Sequence, residues 1–131
     1  MSAQQFAREL GINIEKFPPS SVVTKNGFFA KDLNTIFLRN NLTSTVHDKT
    51  IYHEIKHRDH YPAQYKNNPI LCENEADRFM IRKLIEQYMT ELDLEPEEFN
   101  WTRFVQYYDL PTTTNAEMVQ SEFFDYINNL V

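Results

Sequence analysis

The sequence predicts an α+β protein: a short helix, then a small antiparallel β-meander, then a series of helices. Three observations carry this. Between residues 20 and 39, short β-prone runs alternate with the turn residues Asn26-Gly27 and Lys31-Asp32-Leu33-Asn34. From Thr45 onward the apolar residues recur at helical rather than strand spacing. The 131 residues, 41% hydrophobic and 14% aromatic, suffice for one hydrophobic core. We therefore read 1–131 as a single domain, with a motif-bearing core at about 20–92 and a helical extension at about 95–130.

Each element has a local reason. Ser2 to Leu10 reads as a helix that Gly11 ends from the C′ position. Val22-Val23-Thr24 and Phe28-Phe29-Ala30 flank Asn26-Gly27 as a hairpin with a type I′ turn, because Asn-Gly tolerates two positive φ angles. Lys31 to Asn34 turns the chain into a third strand, Thr35 to Arg39. Thr45 with Asp48 reads as a capping box for a helix running to His60, before Pro62. Asn68-Pro69 opens a long helix to about Leu92, an N-cap followed by proline at the first helical position. Glu95-Pro96 opens another through Tyr108, which Leu110-Pro111 breaks, and Thr114 with Glu117 opens the last, to about Leu130.

Composition removes several function classes. A lone cysteine, Cys72, excludes a disulfide framework and a Cys-based zinc cluster. Two glycines leave nothing for a phosphate-cradling loop. No apolar run reaches the roughly 18 residues of a membrane span, and Met1 to Leu10 carries Arg8 and Glu9 where a signal peptide is apolar. The expectation is a cytoplasmic protein with no membrane partner. The net charge of −6 is uneven: residues 1–60 hold eight Lys/Arg against six Asp/Glu, residues 61–131 five against thirteen. An acidic second half argues against direct nucleic-acid binding, which needs a basic face.

The chemistry is concentrated in His53-Glu54-Ile55-Lys56-His57, an HExxH string. Residues four apart on a helix share a face, so the two imidazoles can chelate one ion, and Zn²⁺ suits them. Glu54 lies about 90° from their mean direction, within reach of a water activated by the ion yet not forced to ligate. Helical phase separates two faces. His53 and His57 flank the direction of Val46, about 20° to either side of it. The apolar Ile51 and Ile55 point to the other side of the helix, about 140° and about 180° from Val46. An ordinary amphipathic helix needs only the apolar face.

Two histidines leave a catalytic zinc site one protein ligand short. In the next helix, phase puts Glu73 inside the stripe formed by Ile70, Met80, Ile81, Leu84 and Tyr88, with Asp77 about 40° away in the same stripe and Glu75 about 200° away on the polar side. A carboxylate within an apolar stripe is costly unless it is paired or bound to metal. Glu73 is thus the third-ligand candidate. Asp77, one turn on, is placed to accept the free ring N–H of a liganding histidine. The competing arrangement is a structural ion pair of both carboxylates with Arg58 or Arg78.

His53-Glu54-x-x-His57 together with Glu73-x-x-Ala76-Asp77-Arg78-Phe79, after a meander ending in Thr35-Ile36-Phe37-Leu38, resembles the ImmA/IrrE family of zinc metallopeptidases over about residues 20–90. The resemblance implies a zincin-like fold, His53, His57 and Glu73 as zinc ligands, and Glu54 as general base. Many members are encoded by phages and mobile elements and act as cytoplasmic endopeptidases on the repressor that silences the element. The resemblance therefore implies a cognate transcriptional repressor as protein partner. One departure is Lys56, where the family usually has glycine before the second histidine.

The group that stabilises the oxyanion is open among His60, Tyr61, Tyr65 and Tyr108. His47 lies off the ligand face, Cys72 reads as a small buried residue, and Trp101, Phe104, Tyr107 and Tyr108 read as core rather than a substrate platform. Two function classes stand: a zinc endopeptidase, and a non-catalytic antirepressor-like binding protein on the same scaffold. Glu54 favours the first, since a pure binder needs no base beside two imidazoles.

Overall fold

The computed structural model describes residues 2–110 and 116–130. The chain divides into two compact units, Met1–Asp77 and Arg78–Val131, and the division falls inside one long helix. Among the described residues the architecture is α+β, with six α-helices and one three-stranded mixed sheet. No described helix is long and apolar enough to cross a membrane.

The first unit begins with α1 (Ala3–Glu9), which Ser2 caps in a box with Gln5: the Ser2 hydroxyl accepts the Gln5 N–H, and the Gln5 side chain accepts the Ser2 N–H. Gly11, at φ 77°, ends it as expected. Its N–H reaches the Arg8 carbonyl and the Ile12 N–H reaches that of Ala7, the paired bonds of a Schellman motif.

The sheet corrects the predicted antiparallel meander. Its strands are β1 (Asn13–Phe17), β2 (Gly27–Ala30) and β3 (Thr35–Arg39), in the order β1-β3-β2. β2 and β3 are antiparallel, joined through a 3₁₀ turn at Lys31–Leu33 and Asn34 in the left-handed region, so the second turn and third strand lie where expected. β1 pairs parallel with β3, with Ile14 opposite Ile36 and Phe17 opposite Arg39. Val22-Val23-Thr24 forms no strand, and Asn26-Gly27 no type I′ turn.

Gly27 has a different purpose. A Cβ there would stand 2.7 Å from the Phe37 carbonyl oxygen, 2.8 Å from Thr50 Cγ2 and 2.9 Å from Leu38 Cδ2. The glycine permits close approach to a helix rather than a turn. Arg39 holds the loop before it: the guanidinium donates to the carbonyls of Pro19, Val23 and Lys25, and the Arg39 N–H donates to the Asn26 carbonyl.

That helix is α2 (Ser44–His57). Thr43, not Thr45, is its N-cap, accepting the Val46 N–H, while Asp48 turns to the His47 ring instead of closing a box. It ends three residues before His60. Ile51, Tyr52 and Ile55 are its buried face, and it packs on α1, β2 and β3 within the first unit, with the Phe6 and Tyr52 rings 6.2 Å apart. Ile36, Leu38 and Ile51 are fully buried there, each stabilising the unit by about 1.5–3 kcal/mol. The opposite sheet face carries Phe17, Phe28 and Phe37, with the Phe28 and Phe37 rings stacked at 5.1 Å.

A short exposed helix that sequence periodicity does not reveal, α3 (Pro62–Asn67), separates α2 from α4 (Pro69–Glu91). Asn68 caps α4 as expected, its side-chain oxygen accepting the Leu71 N–H. The apolar face of α4 runs through Cys72, Ala76, Met80, Leu84 and Tyr88, whereas Ile70, assigned to that face by phase, is 73% exposed.

In the second unit the helix expected from Glu95 to Tyr108 is instead a 3₁₀ turn at Pro96–Glu98 and then α5 (Trp101–Tyr107), capped by Asn100. Tyr88 lies 5.2–6.2 Å from the rings of Phe99, Phe104, Tyr107 and Tyr108. Of the aromatic run, Phe104 and Tyr108 are core, while Trp101 and Tyr107 are partly exposed. The last helix is α6 (Ala116–Asn128); Pro111 and Thr114 lie outside the described residues.

Gly27→Ala should destabilise the protein by about 1–3 kcal/mol, the usual cost of overpacking, measured by urea denaturation. Thr50→Ser in the same chain should restore only part of it, because the Phe37 carbonyl is backbone and cannot yield.

Candidate metal centre

On α2, His53 and His57 sit one turn apart on the face away from Ile51 and Ile55, and their Nε2 atoms are 3.2 Å from each other. Glu73, in the second turn of α4, reaches both. Its Oε2 lies 2.9 Å from His53 Nε2 and its Oε1 3.3 Å from His57 Nε2. Ligand atoms about 2.0–2.1 Å from a tetrahedral ion stand roughly 3.3 Å from one another, so these three side chains already hold donor atoms at the spacing such an ion needs. Two imidazoles and a carboxylate suit a divalent cation of zinc's type. Glu54 offers an oxygen within 4.8 Å of the two histidine donors, and His53, Glu54 and His57 form a group that could hold a metal ion.

A second layer orients this set. Asp77 Oδ1 is 2.9 Å from His53 Nδ1. The Tyr65 hydroxyl, presented by α3, donates to Glu73 Oε1 at 2.7 Å, and its ring meets His57 edge-on at 5.7 Å. His60 Nδ1 is 3.1 Å from His57 Nδ1, and His60 Nε2 is 3.4 Å from Glu75 Oε2. The ion-pair alternative is not what forms: Arg58 bonds the Leu10 carbonyl and pairs with Asp59, and Arg78 pairs with Glu122.

Environment sets the protonation of each group. Burial pushes the Glu54 carboxyl up to about 7, with the charge of Glu73 acting the same way and His53, Lys25 and the Phe29 N–H opposing. Burial also lowers His57, to about 4, helped by neighbouring His53, so this imidazole is neutral and ready to ligate. For His53 burial acts downward, but the Asp77 hydrogen bond and the charges of Glu54, Asp77 and Glu73 outweigh it and leave it above the ordinary histidine value. Glu73 is held below the usual carboxylate range: burial opposes this, and the Tyr65 hydrogen bond and the two histidines prevail. The bond to Glu73 pushes Tyr65 up to about 12, so its hydroxyl keeps its proton.

The structure thus brings together His53, Glu54, His57, Glu73 and Asp77. Of the four oxyanion candidates, Tyr65 alone is both at the site and partly exposed, whereas His60 is buried, Tyr61 lies beneath the Lys31 ammonium, and Tyr108 is in the aromatic cluster of the second unit. His47 pairs with Asp48, and Cys72 is buried. Glu75 is half-exposed as its phase predicts, yet its side chain reaches His60, a contact that sequence reasoning misses. The i, i+3 spacing of His57 and His60 is the one signal that could have found it. Comparison with family models, with curated proteins and with solved structures finds no match to this chain.

About one zinc per chain is expected by elemental analysis, lost or greatly weakened in His53→Ala, His57→Ala and Glu73→Ala. Uptake should release a proton from His53, whose raised value favours the protonated ring, measured by titration calorimetry in buffers of different ionisation enthalpy. With His53 raised, affinity should begin to fall as pH drops below His53's elevated value; His57, already neutral there, contributes no proton. Release confined to pH below 5 would contradict this assignment.

Proposed function

We propose that this chain is a zinc-dependent endopeptidase of zincin-like architecture, related to the ImmA/IrrE family, that cuts a regulatory partner in the cytoplasm, a transcriptional repressor of a phage or mobile element. The observation that carries the reading is the convergence of His53, His57 and Glu73 on one point with the high-pKa carboxyl of Glu54 beside them. The chain order supports it too: a sheet, then the HExxH helix, then a helix bearing Glu73 and Asp77.

In this reading His53, His57 and Glu73 hold zinc. When bound, the ion supplies Lewis acidity toward a carbonyl and lowers the pKa of a water molecule. Glu54 takes the proton of the attacking water and delivers it to the leaving amine as the carbon–nitrogen bond breaks and a carbon–oxygen bond forms. A pKa near 7 suits a group that must accept and return a proton close to neutral pH. Asp77 accepts the Nδ1–H of His53 and fixes that ring. Tyr65 keeps its proton at neutral pH but donates it to Glu73, and would serve a developing oxyanion only by leaving that carboxylate.

Selectivity rests on short surfaces. β2 is an edge strand lying along α2, and a peptide can add to such an edge as a further strand. That mode needs an extended segment in the target, such as the linker between the domains of a repressor.

Glu54→Gln should bind zinc normally and lose turnover by roughly 10²–10⁴-fold, since the amide keeps the shape but cannot accept the proton. Site-limited cleavage of the cognate repressor at substoichiometric enzyme, with casein spared, is the expected result of a gel-based assay. Undiminished cleavage by Glu54→Gln would remove the hydrolytic mechanism. Saturation at one equivalent without cleavage, also in Glu54→Gln, would favour the antirepressor reading.

A further inference from the structure

Both candidate zinc histidines turn Nε2 toward Glu73, so each needs a partner at Nδ1 to fix its ring and its tautomer. For His53 that partner is Asp77. For His57 the atom 3.1 Å from Nδ1 belongs to no carboxylate; it is His60 Nδ1.

His60 is built into its place. It is 8% exposed, just beyond the end of α2. Its N–H donates to the His57 carbonyl, and its own carbonyl accepts the Lys31 ammonium at 3.1 Å. Lys31 also reaches the Arg58 carbonyl, so the turn after α2 is tied to the end of β2. The residue is therefore held at both sides of its backbone, and each of its ring nitrogens faces one partner.

The donor directions then follow from valence alone. If His57 offers the Nε2 lone pair to an ion, its proton resides on Nδ1 and is donated to His60. His60 must accept at Nδ1, so its own proton sits on Nε2 and is donated to the Glu75 carboxylate 3.4 Å away. No nitrogen or oxygen in the chain His57–His60–Glu75 is asked to donate twice or to accept from nothing.

We propose that His60 is the positioning residue for His57, oriented in turn by Glu75, so that this chain uses a histidine relay where His53 uses a carboxylate. The proposal rests on the metal-site reading above. It also gives the Glu73-x-Glu75-x-Asp77 segment one logic. Its first carboxylate faces both ligand histidines, its third supports His53, and its second supports His57 through His60.

The test compares zinc affinity, by competition with a chromogenic chelator, in the wild type, His60→Leu, His60→Asn and Glu75→Gln. His60→Leu fills the buried space but cannot accept the Nδ1 proton, and should bind zinc about 10–100-fold more weakly. His60→Asn places an amide oxygen where Nδ1 was and should recover most of that loss. Glu75→Gln, which can still accept the His60 proton, should stay within about threefold of wild type. Long-range ¹H–¹⁵N correlation on the zinc-loaded wild type should show His57 metallated at Nε2 and protonated at Nδ1. Wild-type affinity in His60→Leu, equal weakening in His60→Asn, or metallation of His57 at Nδ1 would overturn the role of His60 while leaving the zinc site standing. A wild-type protein that takes up no zinc overturns the metal-site reading and this role with it.

Discussion

The seam between β2 and α2 is the constraint on which the site depends. Three contacts run along it in register. Gly27 lies against Thr50, the Phe29 N–H is bonded by Glu54, and the Lys31 ammonium rests on the carbonyls of Arg58 and His60. Two residues of strand advance about 6.6–6.8 Å and four of helix about 6 Å, so Gly27 and Phe29 keep pace with Thr50 and Glu54, and Lys31, first residue of the 3₁₀ turn, reaches the helix end with its long side chain. A side chain at 27 would pry the strand from the helix at its first contact. Because Glu54 and His60 are fixed by the same seam, the positions of the candidate base and of the support behind His57 derive from one packing arrangement.

The second organising feature is electrostatic. Glu54 and Glu73 are the same residue type beside the same histidines, yet their pKa values move in opposite directions. Glu54 is half-buried with the Phe29 N–H as its backbone donor, and desolvation wins. Glu73 receives the Tyr65 hydroxyl and faces two imidazoles, and those interactions win. One carboxylate is thereby held ionised, and the other is brought to where it exchanges a proton near neutral pH. Glu73 and Asp77 place carboxylates on either side of the His53 ring, and Glu73 also faces the neutral His57, an arrangement that favours a cation between the two imidazoles.

Legibility in the sequence follows periodicity. The HExxH string and Glu73 are visible because helical phase is rigid: four residues on one helix, and a carboxylate on the inner face of the next, leave little choice. β1 is invisible because Ile14 and Phe17 are its only apolar residues and do not alternate. It is an edge strand whose place comes from pairing with β3, a tertiary fact. Asn26-Gly27 misleads for the opposite reason. Glycine marks both positive φ and close approach, and local sequence does not say which. Helix ends are blurred by the scarcity of glycine elsewhere. Asp93 and Asp109 take φ 50° beyond α4 and α5, where Leu94 and Leu110 close back on Met89 and Val105. Aspartate tolerates that region but does not announce it. The His60–Glu75 contact escapes because helical phase sends Glu75 to the solvent side of α4, and only the turn after α2 brings a histidine out to meet it.

Lys56 stands where the family resemblance leads one to expect glycine. Glycine within a helix costs about 1 kcal/mol relative to alanine, and is kept where something must come close. In this chain the close approach to α2 is made from the strand side, by Gly27 at Thr50, more than a turn before position 56. Lys56 instead extends toward Asp59 at 3.4 Å, in the last turn of α2, where a cation faces the negative end of the helix dipole. With lysine at 56, His53 and His57 still share one face of α2, their Nε2 atoms 3.2 Å apart.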